Sequence, residues 1–370
     1  MIIKNLFLEN FRNYSRAEVS FSETQNLIFG ENAQGKTNLL EAIFYLSCLK
    51  TFRNQKDFDA VRQGFPEAKV SGEFYAYGRN ISVSCSVKNG SRSLFVNGIP
   101  EKKPSEHIGL IKTVVFSPDD LRLIKEGPTL RRRFLNIAIS QMRPSYIKAL
   151  AEHNKIIENK RRILKMEEER ENYLDFLDVL NERLAKTYAY IIRERGRFIS
   201  RASETVKRVG LDISGKREEI TLYYNHASSV SDTEAPDNEK RLCEHLFARK
   251  AAELSSRSCL IGAQRDDFDV FINGALARDF ASQGQIRSCV LALKVAEHEI
   301  SEQDSGEKPI LLLDDVLSEL DPRRRSFLIN DVNRGQTVIT GCDPSMFSEL
   351  LHGKIFTVSR GKIKSENIKE

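Results

Sequence analysis

The most constraining stretch of this chain is Gly30-Glu31-Asn32-Ala33-Gln34-Gly35-Lys36-Thr37. Two glycines with four residues between them, followed at once by lysine and a hydroxyl residue, fit the phosphate-loop pattern GxxxxGK[ST]. The glycines let the backbone curl until its N–H groups face an anion, and the helix that follows adds the positive end of its dipole. The flanks agree. Phe21–Phe29 reads as a strand ending in Leu27-Ile28-Phe29, and Leu39, Leu40, Ile43, Phe44 and Leu46 recur at helical spacing after the loop. In such a loop Lys36 spans the β- and γ-phosphates of ATP, and Thr37 offers its hydroxyl to Mg²⁺.

A second stretch far along the chain completes that chemistry. Pro309-Ile310-Leu311-Leu312-Leu313-Asp314-Asp315 is an aliphatic run ending in two carboxylates. It reads as a buried parallel strand that delivers acids to the carboxyl edge of a sheet, where ligands bind in open α/β folds. Asp314 is placed to hold Mg²⁺, and Asp315 to orient and deprotonate an attacking water. Upstream of it, Ser282-Gln283-Gly284-Gln285 opens a helical run through Val290, Leu291, Leu293, Val295 and Ala296. A small polar group at a helix N-terminus is a second anion-binding end; taken alone, Ser282 reads better as an ordinary N-cap.

Between these motifs the texture changes. An opening strand carries Ile3, Leu6, Leu8 and Phe11 into a turn at Asn10–Asn13, and residues 70–99 alternate as short antiparallel strands. From 119 to 208 the pattern is helical. Ile147, Leu150, Asn154, Ile157, Arg161 and Leu164 form one stripe, and Leu174, Leu177, Asn181, Leu184, Tyr188 and Ile191 another, with a reversal at Glu167–Asn172. A strand over Ile220–Tyr224, a polar loop from Ser228 to Asn238 and a helix from Glu239 to Ser255 lead into a final α/β third. The expected division is a head from 1 to 118 and 209 to 370, with a helical lobe of residues 119–208 inserted as a short arm. The fold class is α/β, a P-loop ATPase head with an antiparallel β subdomain and an all-helical insertion.

Charge follows the same division. The 370 residues sum to +5, whereas residues 119–208 carry 21 Lys and Arg against 14 Asp and Glu, leaving the remainder at −2. Arg131, Arg132, Arg133 and Lys160, Arg161, Arg162 are the densest basic groups and the candidates for phosphates of duplex DNA. The competing reading is a solvated helix face with pairs such as Glu158–Arg162. With no Trp, base stacking is not indicated. No apolar stretch reaches membrane-span length, no leader is evident, and six cysteines without a CxxC pair suit buried thiols in a reducing cytosol.

Phosphate loop, signature-like Ser282–Gln285, acids, and a following Ser318-Glu319-Leu320-Asp321 resemble, in that order, an ABC-type ATPase head split around an insertion, as in SMC proteins. Four blocks (residues 30–47, 116–135, 280–297 and 309–325) resemble the RecF family closely. That resemblance implies ATP binding by Gly30–Thr37 with Arg12 approaching the nucleotide. It also implies Ser282, Gln283, Gly284, Gln285 and Asp321 contacting ATP held by a partner copy. It implies ATP-dependent dimerisation on DNA, slow hydrolysis for release, work with RecO and RecR to load RecA at gaps, support of the SOS response, and a cytoplasmic location. Departures stand out: Gln264 lies where the family usually has His, and Thr340-Gly341-Cys342 lacks the switch histidine of ABC ATPases. The rival readings are a transporter ATPase subunit, which would have that histidine, and a scaffold that binds nucleotide only structurally.

Overall fold

A computed structural model describes residues 1–53, 57–166, 173–228, 230, 232–329, 335–342 and 353–367. The chain starts with β1 (Ile2–Phe11) and β2 (Tyr14–Ser20) as an antiparallel pair and enters β3 (Gln25–Phe29). β2 escaped the sequence reading because it is an edge strand with only Tyr14 and Val19 buried, too thin a pattern to register. After the phosphate loop comes α1 (Lys36–Cys48), then β4 (Glu67–Ala76), β5 (Arg79–Lys88), β6 (Ser91–Val96) and β7 (Ile99–Glu101). These strands join β1 and β2 in an antiparallel sheet of order β2-β1-β4-β5-β6-β7. Its hairpins turn at Tyr77-Gly78 and Asn89-Gly90, each pair in the left-handed region that primed two-residue turns require.

β8 (Thr113–Phe116) leads to three long helices, α2 (Pro128–Met142), α3 (Pro144–Leu164) and α4 (Tyr173–Ser214). The expected reversal at Glu167–Asn172 lies outside the described residues. β9 (Ile220–Asn225), α5 (Asn238–Ser256), β10 (Asp267–Ile272) and β11 (Ala275–Leu276) follow, with a small sheet ordered β11-β10-β9. The chain then runs through α6 (Gln283–Ser305), β12 (Ile310–Leu313), β13 (Thr337–Gly341), β14 (Gly353–Ser359) and β15 (Lys362–Asn367).

The central sheet has the order β15-β14-β3-β13-β12-β8, parallel except for β15 at one edge. Its strands β3, β13, β12 and β8 are buried on both faces, which is why they read as apolar runs. Successive residues go to different cores. Ile28, Ile310, Leu312 and Val338 pack with α1 and the antiparallel sheet. Leu27, Leu311, Leu313 and Ile339 pack with the helical side. Because the phosphate loop follows β3 and the acids follow β12, both open on the same carboxyl edge, one strand apart.

The helical lobe is not a free-standing arm. α4 has 42 residues, about 63 Å at 1.5 Å per residue, and continues past the expected boundary at 208 to Ser214. Its second half lies along α6, where Thr205 and Arg208 bond Glu299 and Arg201 bonds Asp304. The lobe shares one continuous core with the central sheet. The seam of α3 is also rotated from the expected stripe. Asn154 and Arg161 face solvent, while Tyr146, His153, Ile157, Lys160 and Leu164 are buried. An apolar count misses that face because His153 and Lys160, though polar, supply part of it.

Candidate nucleotide site

The phosphate loop is built from strained backbone. Gly30 and Gly35 sit at φ +155° and +119°, and Ala33 at +64°. A Cβ on Gly30 would lie 2.3 Å from the Val358 carbonyl oxygen, so neither a side chain nor a different turn fits there. Lys36 is buried, and its Nζ donates back to the Gly30 and Glu31 carbonyls at 2.7 and 3.1 Å. Its amine thus spans the loop whose N–H groups form an anion nest ahead of α1.

Two neighbouring segments brace the loop. Asn13 Nδ2 donates to the Gln34 carbonyl at 2.8 Å, and Tyr14 OH to the Gly35 carbonyl at 3.0 Å. From the β14–β15 turn, the Arg360 N–H donates to Gln34 Oε1 at 2.6 Å. Arg12, expected to approach the nucleotide, is tied to the helix that follows the loop. Its Nε donates to Glu41 of α1 at 2.8 Å and its Nη1 to the Asp59 carbonyl at 2.5 Å. In that turn it is Asn13 and Tyr14 that touch the loop; the turn was visible in the sequence, but which of its side chains met the loop was not.

The acids meet the loop directly. Thr37 Oγ1 donates to Asp314 Oδ1 at 2.7 Å, and Thr340 Oγ1 donates to the same oxygen at 3.0 Å. Thr340 Oγ1 also accepts the Asp315 N–H at 2.9 Å. Because β13 lies between β3 and β12, its Thr340 joins the two acids, and Asp314 carries the link on to Thr37 behind the phosphate loop. Burial pushes the Asp314 carboxyl above its usual range, against the pull of the Thr37 and Thr340 hydroxyls and the Arg53 charge. A hydroxyl and a buried carboxylate at this separation are hard oxygen donors. They suit Mg²⁺, which takes one or two protein oxygens and completes its shell with phosphate and water. Asp315 is only partly buried and has φ +51°, which turns it away from the strand at the start of a short helix, Val316–Glu319.

Cys342 stands where a switch histidine was sought. Its Sγ is exposed, 3.2 Å from Lys36 Nζ and 3.0 Å from Asn32 Oδ1. The six cysteines are free, but Cys342 is exposed and Cys243 partly so, unlike the buried thiols expected.

Ser282 caps α6 in a reciprocal box. Its hydroxyl accepts from the Gln285 N–H at 3.3 Å, and Gln285 Oε1 accepts from the Ser282 N–H at 2.9 Å. Both Ser282 and Gln283 are exposed, and Phe280 beside them is 75% exposed. The segment after the acids is locked to this helix. Asp321 caps the helix Pro322–Phe327 and pairs with Arg324, whose Nη2 reaches Ser288 of α6 at 2.7 Å. Arg287 pairs with Glu319 at 2.9 Å. Although burial raises it, the Asp321 carboxyl ends below its usual range because Arg324 and two backbone N–H groups bond it.

The basic groups fall apart on inspection of their contacts. Arg131 is 3% exposed and bidentate to Asp267 at 2.7 Å, with further bonds to the Leu123 and Glu126 carbonyls. Lys160 is 1% exposed, 2.6 Å from both Glu253 and Asn181. Both are spent on interior ties: Lys160 is buried together with Glu253, and Arg131 is buried against a partly exposed Asp267. Arg132 and Arg133 are partly exposed and bond the carbonyls of Asp266 and Thr51. Arg161 and Arg162 face solvent, Arg162 pairing with Glu158 as expected.

Residues 2–364 match the family described as RecF/RecN/SMC N terminal domain. The chain is 38% identical to the DNA replication and repair protein RecF of Clostridium botulinum (strain Langeland), a match covering 98% of this chain and 100% of that one. RecF of Agathobacter rectalis is 34% identical over 98% and 99% of the two chains. Among solved structures, RecF–ATPrS of the RecFOR pathway superposes with a TM-score of 0.90 at 34% identity, covering 98% of both chains. An SMC head bound to the C-winged helix domain of ScpA shares the fold, with a TM-score of 0.58 at 16% identity, covering 100% of this chain and 98% of that one. With likeness of this extent along the whole length, the chain belongs to the RecF family of ATPase heads.

Proposed function

We propose that this chain is an ATP-driven switch of DNA replication and recombinational repair, dimerising around ATP on DNA and released by slow hydrolysis. The observation that carries the reading is the Thr37–Asp314–Thr340 link. It fastens a phosphate loop to an acid pair, while the signature-like Ser282 stands exposed on another helix. Among the described residues, the bonds of Ser282 and Gln285 are to each other, so the geometry leaves that helix end open to a γ-phosphate on a second copy.

The residues divide the work. Loop N–H groups and Lys36 hold the β- and γ-phosphates, Lys36 exchanging its two carbonyl partners for phosphate oxygens. Thr37 and Asp314 would hold Mg²⁺, which when bound screens the phosphate charge. Asp315 orients and deprotonates the attacking water. With Cys342 in place of a histidine, sensing of the γ-phosphate falls to the partner's signature end, which fits weak, DNA-dependent turnover. The relatives named for the RecFOR pathway support action with RecO and RecR, and through them RecA loading at gaps and the SOS response. Among the described residues no helix is long and apolar enough to cross a membrane.

Sizing with and without ATP and Mg²⁺, followed by duplex DNA binding, tests the switch. A dimer with ATP that binds duplex more tightly than the nucleotide-free chain is expected. A monomer under both conditions, binding DNA equally, would sink it.

A further inference from the structure

Past the C-terminal end of α1, away from the phosphate loop, a cleft of about 250 Å³ opens between that helix end, α2, α3 and the loop before β10. Its walls include Lys50, Arg132, Arg133, Arg195, Asn154 and Gln264, and no aspartate or glutamate lines it. The nearby acids are already engaged: Asp266 holds Arg195 at 2.7 Å beneath the floor, and Asp267 holds Arg131. Among the described residues, Arg132 bonds neutral groups, the Asp266 carbonyl at 2.9 Å and Thr129 Oγ1 at 3.4 Å. Lys50 projects just after α1 ends. Desolvation and the charges of Arg133 and Arg92 push its amine below the usual lysine range. Gln264 is pinned as a neutral floor, its Oε1 3.2 Å from His153 Nε2 and its amide donating to the Ile261 carbonyl at 3.1 Å.

Cations lining one hollow with no acid among the residues around it repel one another until an anion enters. We infer that this cleft binds a phosphate group, with Lys50 and Arg132 as its charged ligands. The volume lies below the roughly 300–1,000 Å³ of pockets for drug-sized ligands, so one phosphate and part of what it is attached to fit, and a whole nucleotide does not. Two sources share this chemistry, a phosphodiester of duplex DNA and a free phosphate ion. The duplex source rests on the DNA-binding reading above, and the anion site does not.

The test uses the full chain and the variants Lys50→Gln and Arg132→Gln, with Lys50→Arg and Arg132→Lys as charge-keeping partners. In one arm, duplex affinity is measured across a salt series in the presence of ATP. In the other, inorganic phosphate is titrated calorimetrically into a Lys36→Met background, so that the phosphate loop does not register. The expected result is a loss of duplex affinity of about tenfold and a salt slope lower by about 1 in each glutamine variant, with the charge-keeping variants close to wild type. Loss in the phosphate arm alone assigns the site to the free ion. If duplex binding is absent even in wild type, the DNA reading fails and the phosphate arm alone judges the cleft. Glutamine variants that match wild type in both arms overturn the proposal.

Discussion

Thr340 touches both acids through one oxygen, donating to Asp314 and accepting from the Asp315 backbone. Hydrogen bonds to charged groups contribute about 1.5–3 kcal/mol, so Thr340→Val should cut single-turnover hydrolysis roughly 10- to 100-fold while ATP binding survives. Thr340→Ser should restore the rate; equal rates in the valine variant would remove Thr340 from the site. Lys36→Met should lose nucleotide binding outright, since its amine is the sole cation among Gly30–Thr37. Asp315→Asn should still bind ATP and dimerise but not turn over, and normal turnover there would place the base elsewhere. The phosphate loop and acid pair were readable from sequence because each is a local pattern with a fixed spacing. Thr340 was not. Its role exists only once β13 lies between β3 and β12, a neighbourhood that no spacing along the chain records.

At the level of elements, α3 shows where periodicity misleads. The helix itself was legible, but its inward face was offset because His153 and Lys160 are buried and satisfied there. Lys160→Met strands Glu253 in the core and should cost about 3–5 kcal/mol in a denaturant melt, with duplex affinity of the folded chain unchanged. Pairing it with Glu253→Leu should recover most of that loss; if Lys160→Met instead weakens DNA binding in the folded state, the lysine is not merely structural. His153 makes a second, opposite prediction. Burial lowers its pKa from 6.5 to about 4. The unfolded chain therefore binds the proton first as pH falls, and stability is lost between about 6.5 and 4. By linkage the loss from this residue reaches about 3 kcal/mol near pH 4. His153→Gln should flatten melting curves over that window relative to wild type, and an unchanged slope would show that the imidazole titrates normally.

Across the whole molecule, charge and core boundaries disagree. The lobe's excess of basic residues suggested a DNA-facing arm, yet Arg131, Lys160 and Arg195 are interior ties that knit α2 to β10, α3 to α5 and α4 to the segment before β10. Counting charges could not separate a cation aimed at solvent from one buried against a carboxylate distant in sequence. The proposed dimer needs two half-sites from each copy. The loop and acids open on the carboxyl edge of the sheet, while Ser282 and Phe280 stand on a separate surface. A two-fold dimer would join each loop to the other copy's Ser282, giving two composite sites. Mixing variants tests that arrangement. Lys36→Met copies lack a working loop, and Ser282→Arg copies lack a working signature end, so each alone should hydrolyse no ATP. In a mixed dimer, the intact loop of the Ser282→Arg copy faces the intact Ser282 of the Lys36→Met copy. With random two-fold pairing, half the dimers are mixed and each has one working site, so ATPase should return to at most about a quarter of the wild-type rate. An inactive mixture would mean that loop and signature act within one chain, and full activity of Ser282→Arg alone would remove the signature end from hydrolysis.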